Sequence, residues 1–142
     1  LETFNSVREA VAAAEAAHVT GRPFAVSFTA NNEGNILNGD TWSEAVKQLD
    51  RFHPIAILVN CVPGSTATKA LKKIKNATKL PFGAYGNGAG KVDERNGWKF
   101  TTSDKIKDYL THCSDWLKLG VTVIGGCCGT NHEYTKSYSR LK

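Results

Sequence analysis

Helix-type and strand-type patterns alternate along the whole of this 142-residue chain. The clearest strand pattern is the unbroken apolar run from Pro54 to Asn60, which is typical of a parallel strand that is buried on both faces. Ahead of it, Val7, Ala10 and Ala14 recur at helical spacing and indicate an amphipathic helix. The alternation predicts an α/β fold in which right-handed crossovers join the strands of a parallel sheet.

Four strands and five helices are predicted within one domain. The strands fall at residues 24–29, 54–60, 80–85 and 121–124. The helices fall at residues 4–18, 40–52, 66–77, 103–119 and 132–141, with polar loops at 31–40 and 86–98. A strand–helix repeat of about forty residues is close to the unit of a (β/α)8 barrel, although four strands cannot close one. From the pattern alone, an open, doubly wound four-stranded sheet is the alternative.

Composition and charge exclude several functional classes. The formal net charge is +5, and lysines cluster only between Lys69 and Lys75, where their spacing predicts the solvated face of a helix. A nucleic-acid interface needs a basic stripe with base-reading groups, so we expect none here. No apolar run is long enough to span a bilayer, and the first residues lack the features of a signal peptide. The absence of methionine predicts a fragment or a processed product.

The chain has four cysteines, two of them adjacent: Cys61, Cys113, Cys127 and Cys128. Small disulfide-stabilised secreted domains are richer in cysteine than this. The count therefore predicts a reducing compartment and a cytoplasmic location, with the thiols kept for metal binding or catalysis.

Polar or sulfur-bearing side chains stand at the carboxyl end of every predicted strand. They are Ser27 and Thr29 at the first strand, Asn60 and Cys61 at the second, Tyr85 and Asn87 at the third, and Cys127 and Cys128 at the fourth. The carboxyl ends of parallel strands share one edge of a sheet, and ligands bind at that edge. We therefore expect Cys61 to lie close to the distant Cys127–Cys128 pair.

Three converging thiols predict a metal site. Thiolates bind zinc, copper(I) or iron–sulfur clusters, and the clusters usually need four cysteines at spacings that are absent here. Three protein ligands and one open position are the pattern of catalytic zinc. A thiol substrate in that position would be held as a thiolate, ready to attack an electrophilic methyl group. Gly125, Gly126 and Gly129 are expected to let the backbone turn so that both adjacent thiols face one ion.

Other roles for these cysteines remain open at this stage. Buried, inert thiols are common in protein cores. A redox dithiol at Cys127–Cys128 is a further alternative, although adjacent cysteines form a strained disulfide and the Cys-X-X-Cys spacing is missing. Cys113 lies within a predicted helix and is expected to be a core or semi-exposed helical thiol.

Two short motifs, Val59-Asn60-Cys61 and Gly125-Gly-Cys-Cys-Gly-Thr130, resemble the zinc signatures of the homocysteine S-methyltransferases. The similarity extends to Glu2-Thr3, Val26-Ser-Phe-Thr29 and Pro81-Phe-Gly-Ala-Tyr-Gly-Asn87, in the same order along the chain. That family includes betaine-dependent and S-methylmethionine-dependent enzymes and the homocysteine domain of cobalamin-dependent methionine synthase. Its fold is a (β/α)8 barrel.

The resemblance implies a function and a set of site residues. Cys61, Cys127 and Cys128 would bind zinc, and no catalytic residue is expected beyond the metal site. Homocysteine would accept a methyl group from a donor and become methionine. The substrate-binding residues implied are Glu2, which would bind the homocysteine amino group after the fourth barrel strand, and Ser27, Asn60, Tyr85 and Asn87.

The resemblance also implies that residues 1–142 are a partial domain, the C-terminal half of the barrel with strands five to eight. A half-barrel leaves sheet edges and a broad apolar face open, which favours a partner. We therefore expect a homo-oligomer or a complex with an N-terminal half-barrel. The alternative function is a zinc-binding half-barrel that is catalytically incomplete on its own.

Overall fold

The computed structural model describes residues 1–88, 91–93, 95, 97–99 and 103–141. The strands are β1 (Val26–Phe28), β2 (Ile57–Pro63), β3 (Phe82–Asn87), β4 (Lys91–Asp93), β5 (Gly97–Lys99) and β6 (Val123–Gly126). The helices are α1 (Val7–His18), α2 (Trp42–Leu49), α3 (Gly64–Ala77), α4 (Ser103–Leu119) and α5 (His132–Tyr138), and a 3₁₀ turn, Asp50–Phe52, follows α2. No helix in the described part of the chain is long and apolar enough to cross a membrane.

Four parallel strands form the main sheet, in the order β1-β2-β3-β6. Each of them therefore lies beside the next main-sheet strand in the sequence. A doubly wound sheet reverses its strand order at a switch point, and this sheet does not. The predicted α/β class is confirmed, the doubly wound alternative is wrong, and the arrangement is consistent with part of a TIM-type barrel.

The helices form a single layer, because each helix packs against the next one along the chain. Ile57 and Val59 of β2 belong to the hydrophobic core that this layer covers, whereas Leu58 and Asn60 alternate onto the opposite face of the sheet. Side-chain caps start the first two helices: Ser6 accepts a hydrogen bond from the Glu9 amide. Helix α2 begins in the same way at Thr41.

The face of the sheet away from the helices carries both polar and apolar side chains. Ser27 and Asn60 are buried there, and Tyr85 follows at the next strand. The large apolar side chains that we place on the described part of this face are Leu58 and Val123, and Val123 is 38% exposed. The expected broad apolar face is therefore interrupted, because Ser27, Asn60 and Tyr85 place hydrogen-bonding groups among its apolar positions.

The first residues of the chain extend the sheet beyond β1. The Ser27 amide donates to Leu1 O at 2.9 Å, and the Phe4 amide donates to Ser27 O at 3.1 Å. Phe4 therefore lies in a parallel bridge with Phe28, outside the helix that was predicted to begin there. This pairing covers the β1 edge and makes the first residues of the chain the edge of the sheet.

Several predicted boundaries are wrong for physical reasons. Pro54 and Pro81 were placed inside strands, but proline has no N–H to donate, and both strands begin after it. Strand β2 continues past Asn60 to Pro63 through a register irregularity, and α3 follows at once at Gly64.

The predicted loop at 86–98 is also wrong in part. Strand β3 continues to Asn87, and β4 and β5 form an antiparallel hairpin in which Val92 lies opposite Trp98. Valine and tryptophan favour strands, so two short strand-forming runs lay within this polar segment. Residues 89, 90, 94 and 96 of the same segment lie outside the described residues.

Candidate metal centre

The structure brings the three predicted ligand thiols together at the carboxyl edge of the sheet. The Sγ atoms of Cys61, Cys127 and Cys128 all lie within 4.8 Å of one another. Cys61 Sγ and Cys128 Sγ are 3.6 Å apart. All three residues are half-buried and have free thiols, so an ion or a small ligand can reach them.

Cys61 is presented by a distortion of β2. Its φ is +57°, in the left-handed region that residues with a Cβ rarely adopt. The register between β2 and β3 shifts at this point, between Asn60 and Pro63. The distortion, which resembles a β-bulge, redirects a side chain at the end of a strand. A strained backbone at a site residue is the usual sign of a functional constraint.

Burial, and after it the neighbouring thiols of Cys127 and Cys128, raise the pKa of the Cys61 thiol to about 12. In the absence of a cation, this thiol therefore keeps its proton at neutral pH. A metal that binds here must displace that proton.

Cys127 and Cys128 lie in a tight turn that follows β6. The Thr130 amide donates to Cys127 O at 3.1 Å, and the Thr130 hydroxyl donates to the same oxygen at 2.7 Å. Gly129 completes the turn with φ +73°. Gly126 has a different role from the one expected: a Cβ there would lie 2.5 Å from Thr130 Oγ1, so it permits close packing rather than a turn.

Backbone hydrogen bonds fasten this turn to β3. The Cys127 amide donates to Gly86 O, and the Gly88 amide donates to Cys128 O, each at 2.8 Å. Asn87 lies between these two bonds. Within the described residues, its Oδ1 is the one buried side-chain polar atom without a hydrogen-bond partner. Since buried polar atoms are normally paired, an orphaned oxygen on a residue fastened to the thiol turn suggests a ligand at this position.

Four other predicted site residues and Thr3 form a hydrogen-bonded group that we call the inner-face network: Glu2, Thr3, Ser27, Asn60 and Tyr85. Ser27 Oγ donates to Asn60 Oδ1 at 2.9 Å and also contacts the Tyr85 hydroxyl. Asn60 Nδ2 donates to Thr3 Oγ1 at 2.8 Å, and the Tyr85 hydroxyl lies 3.1 Å from Glu2 Oε2. Thr3 was not predicted as a site residue, because only its distant partner Asn60 gives it a role.

The inner-face network has fewer hydroxyl hydrogens than oxygen–oxygen contacts. Three oxygen–oxygen contacts link Asn60, Ser27, Tyr85 and Glu2 in series, and two hydroxyl hydrogens are available for them. One of the three contacts therefore has no hydrogen of its own, and a donor from outside the network can supply it. Burial, together with the contact with Glu2, raises the pKa of Tyr85 to about 12, so Tyr85 remains a neutral phenol.

Cys113 lies away from this cluster, as predicted. It is fully buried in α4, and burial raises the pKa of its thiol to about 12. It packs within the hydrophobic core and so behaves as a structural residue.

A model of the homocysteine S-methyltransferase family matches residues 1–141. The chain belongs to that family. This homocysteine S-methyltransferase family member is 29% identical over 106 residues to the selenocysteine Se-methyltransferase of Brassica oleracea var. italica, a match that covers 73% of this chain and 31% of that protein. It is 26% identical over 106 residues to homocysteine S-methyltransferase 2 of Arabidopsis thaliana, covering 73% of this chain and 32% of that protein.

Among solved structures, the family member is similar to the metallated form of the Escherichia coli homocysteine methyltransferase MmuM. The TM-score is 0.75 at 26% sequence identity, and the match covers 96% of this chain and 42% of that one. The chain thus spans less than half of the solved relative, and about a third of the two curated relatives.

The three thiols fit a zinc ion. Tetrahedral zinc with Zn–S bonds of about 2.3 Å holds its sulfurs about 3.8 Å apart. The Cys61–Cys128 sulfur distance of 3.6 Å is close to that value, and the third sulfur lies within the same 4.8 Å limit. Three soft ligands leave one of four tetrahedral positions for a substrate.

Proposed function

We propose that this chain forms the zinc-binding and thiol-accepting part of a homocysteine S-methyltransferase. The observation that carries the proposal is the meeting of Cys61, Cys127 and Cys128 within 4.8 Å, in a chain of this family. The proposed product of the complete enzyme is methionine. The inert-core alternative for these thiols does not account for three half-buried sulfurs at a sheet edge where ligands bind.

The proposed ligands are Cys61, Cys127 and Cys128, each as a thiolate. A zinc ion held by them would lower the pKa of an incoming thiol and favour its thiolate near neutral pH. The β2 distortion at Cys61 and the turn closed by Thr130 hold the sulfurs in place before any ion arrives. Such preorganisation lowers the cost of binding.

The inner-face network is proposed to bind the amino-acid part of homocysteine. Glu2 is exposed and carries an acceptor oxygen beside the Tyr85 hydroxyl. An ammonium group would supply the hydrogen that the network lacks and would pair with the carboxylate. Ser27 and Asn60 fix the position of Tyr85 and of the Glu2–Thr3 segment, and the unpartnered Asn87 Oδ1 is proposed as a second polar contact near the thiols.

The proposed reaction is a displacement at carbon. The homocysteine sulfur forms a new bond to the methyl carbon, while the bond from that carbon to the donor atom breaks and its electron pair leaves with the donor. The thiol proton is lost to solvent before the attack. The proposed role of the residues of this chain is to hold and orient the acceptor.

The chain is further proposed to provide barrel strands five to eight, so that turnover needs the rest of the barrel. The four parallel strands and the 42% coverage of the solved relative support this arrangement. A homo-oligomer or an N-terminal half-barrel would then complete the site. Free thiols at all four cysteines support a cytoplasmic location.

Calorimetry on the zinc-loaded protein tests the proposal. We expect homocysteine to bind and homoserine, which carries a hydroxyl in place of the thiol, to bind at least tenfold more weakly. Equal binding of the two ligands would refute a thiol-accepting metal site. A methyl-transfer assay with homocysteine and either betaine or S-methylmethionine then separates the two functional candidates: zinc binding without methionine formation favours the incomplete half-barrel.

A further inference from the structure

Tyr109 places a hydroxyl group at the seam between β3 and β6, immediately before the thiol turn. The residue lies in α4 and is only 3% exposed. Its hydroxyl accepts a hydrogen bond from the Gly86 amide at 3.0 Å and donates one to Gly125 O at 2.5 Å. Neither the sequence pattern nor the family resemblance indicated a role for this residue.

The backbone groups that Tyr109 contacts, which also include Gly86 O at 3.4 Å, belong to adjacent strands. Gly86 lies opposite Gly126 in the parallel register, so the Gly86 N–H and the Gly125 carbonyl face each other across the seam. The hydroxyl bridges these two groups. The next hydrogen bond along the seam joins the Cys127 amide to Gly86 O, so the bridge adjoins the backbone that carries a proposed ligand.

We propose that the Tyr109 hydroxyl is a positioning group that sets the separation of β3 and β6 beside Cys127 and Cys128, and thereby the affinity of the three-thiol site for zinc. This inference rests on the proposed metal site and deepens it. Tyr109 acts through the backbone and does not itself touch the ion.

The surroundings of Tyr109 hold its ring in one place. Trp116 packs edge-on at 5.7 Å between ring centroids, and Tyr134 does so at 5.5 Å. On the sheet side, the ring edge lies against Gly86, where a Cβ would make an ordinary van der Waals contact of 3.5 Å with the Tyr109 Cε2 atom. Burial raises the pKa of Tyr109 well above its usual range, so the hydroxyl keeps the hydrogen that it donates to Gly125.

The test is the zinc affinity of Tyr109→Phe, measured by competition with a fluorescent chelator. Groups that support metal ligands typically contribute 10- to 100-fold to metal affinity, so we expect at least tenfold weaker binding. The cobalt(II)-loaded variant should also show a changed absorption spectrum, since these bands report the geometry of the ligands. Tyr138→Phe is the matched control, because the bond that its hydroxyl makes among the described residues is local, to Thr135 Oγ1 at 3.1 Å.

A second control separates the hydroxyl from the packing of the ring. Trp116→Phe removes an indole that packs on Tyr109 and donates to Thr68 Oγ1 at 2.8 Å, and it leaves the bridge intact. This variant should lose thermal stability yet keep zinc affinity within threefold of the wild type. If Trp116→Phe loses as much zinc affinity as Tyr109→Phe does, the packing of the ring accounts for the effect and the inference is overturned.

The remaining outcomes also decide the matter. If the wild-type protein binds no zinc, the proposed function fails. If the wild type binds zinc and Tyr109→Phe binds it equally well, only the positioning role fails. Should Tyr109→Phe not fold, hydrogen exchange of the wild-type Gly86 amide gives the answer. By reciprocity, zinc should slow this exchange at least tenfold relative to the Ala14 amide of α1, and an equal effect at both amides would overturn the inference.

Discussion

Replacement of Asn60 by alanine tests whether the inner-face network stabilises the fold. Asn60 is fully buried, and its amide joins three segments of the chain. It accepts from Ser27 of β1 at 2.9 Å and donates to Thr3 of the first segment at 2.8 Å. Asn60→Ala removes both bonds while leaving the backbone of β2 able to form its ladder.

The expected loss follows from the two bonds and from what remains of their partners. Each hydrogen bond contributes about 1 kcal/mol net, and a buried group left without a partner costs about 1–3 kcal/mol. Thr3 is exposed and can bond to water, and Ser27 keeps its contact with Tyr85. The penalty for stranded groups is therefore small, and we expect a loss of about 2 kcal/mol.

Urea unfolding, followed by tryptophan fluorescence, measures this loss. With an m-value of about 2 kcal/mol/M, the midpoint should fall by about 1 M. The matched control is Asn76→Ala, an exposed position in α3 where alanine is the better helix former, so its midpoint should stay the same or rise slightly. If both variants unfold at the wild-type midpoint, the inner-face network contributes nothing to stability and the argument is refuted.

Three further predictions concern the thiols and their surroundings. In metal-free protein, Cys113 should react with iodoacetamide at least tenfold more slowly than Cys128, as measured by peptide mass spectrometry, because it is fully buried; equal rates would contradict that placement. Gly126→Ala should lower the thermal midpoint by an amount equivalent to about 1–3 kcal/mol, because its Cβ would lie 2.5 Å from Thr130 Oγ1, and an unchanged midpoint would show that the turn yields freely. The folded state raises the pKa of Cys113 from 9.0, and of Tyr85 from 10.0, to about 12, so it holds these protons more tightly than the unfolded chain. Stability should therefore be fully present below about pH 9 and fall as the pH rises towards 12, and urea midpoints that stay constant between pH 8 and 11 would contradict the burial of both groups.

The sequence predicted the site better than it predicted the limits of the strands. The glycine-flanked pair Cys127–Cys128 and the lone Cys61 each follow an apolar run, and the parallel topology alone places such positions at one edge. This inference needed no side-chain detail. The strand limits, by contrast, depended on which residue donates to the ladder, and Pro54 shows how a residue in an apolar run is left out of the strand.

What the sequence could not predict arises from contacts between distant segments. Thr3 is linked to Asn60, and Tyr109 bridges Gly86 and Gly125, only because the folded chain brings these groups together. Neither tyrosine spacing nor local composition carries that information. The positive φ of Cys61 is likewise a property of the register irregularity in β2, which no local pattern signals.

The zinc content of purified protein tests the central claim most directly. After dialysis against metal-free buffer, mass-spectrometric elemental analysis should find one zinc per wild-type chain and per Cys113→Ala chain. The same analysis should find almost none in Cys61→Ala, Cys127→Ala or Cys128→Ala. Undiminished zinc in Cys61→Ala, with the protein still folded, would contradict the assignment of the three-thiol cluster as the metal site.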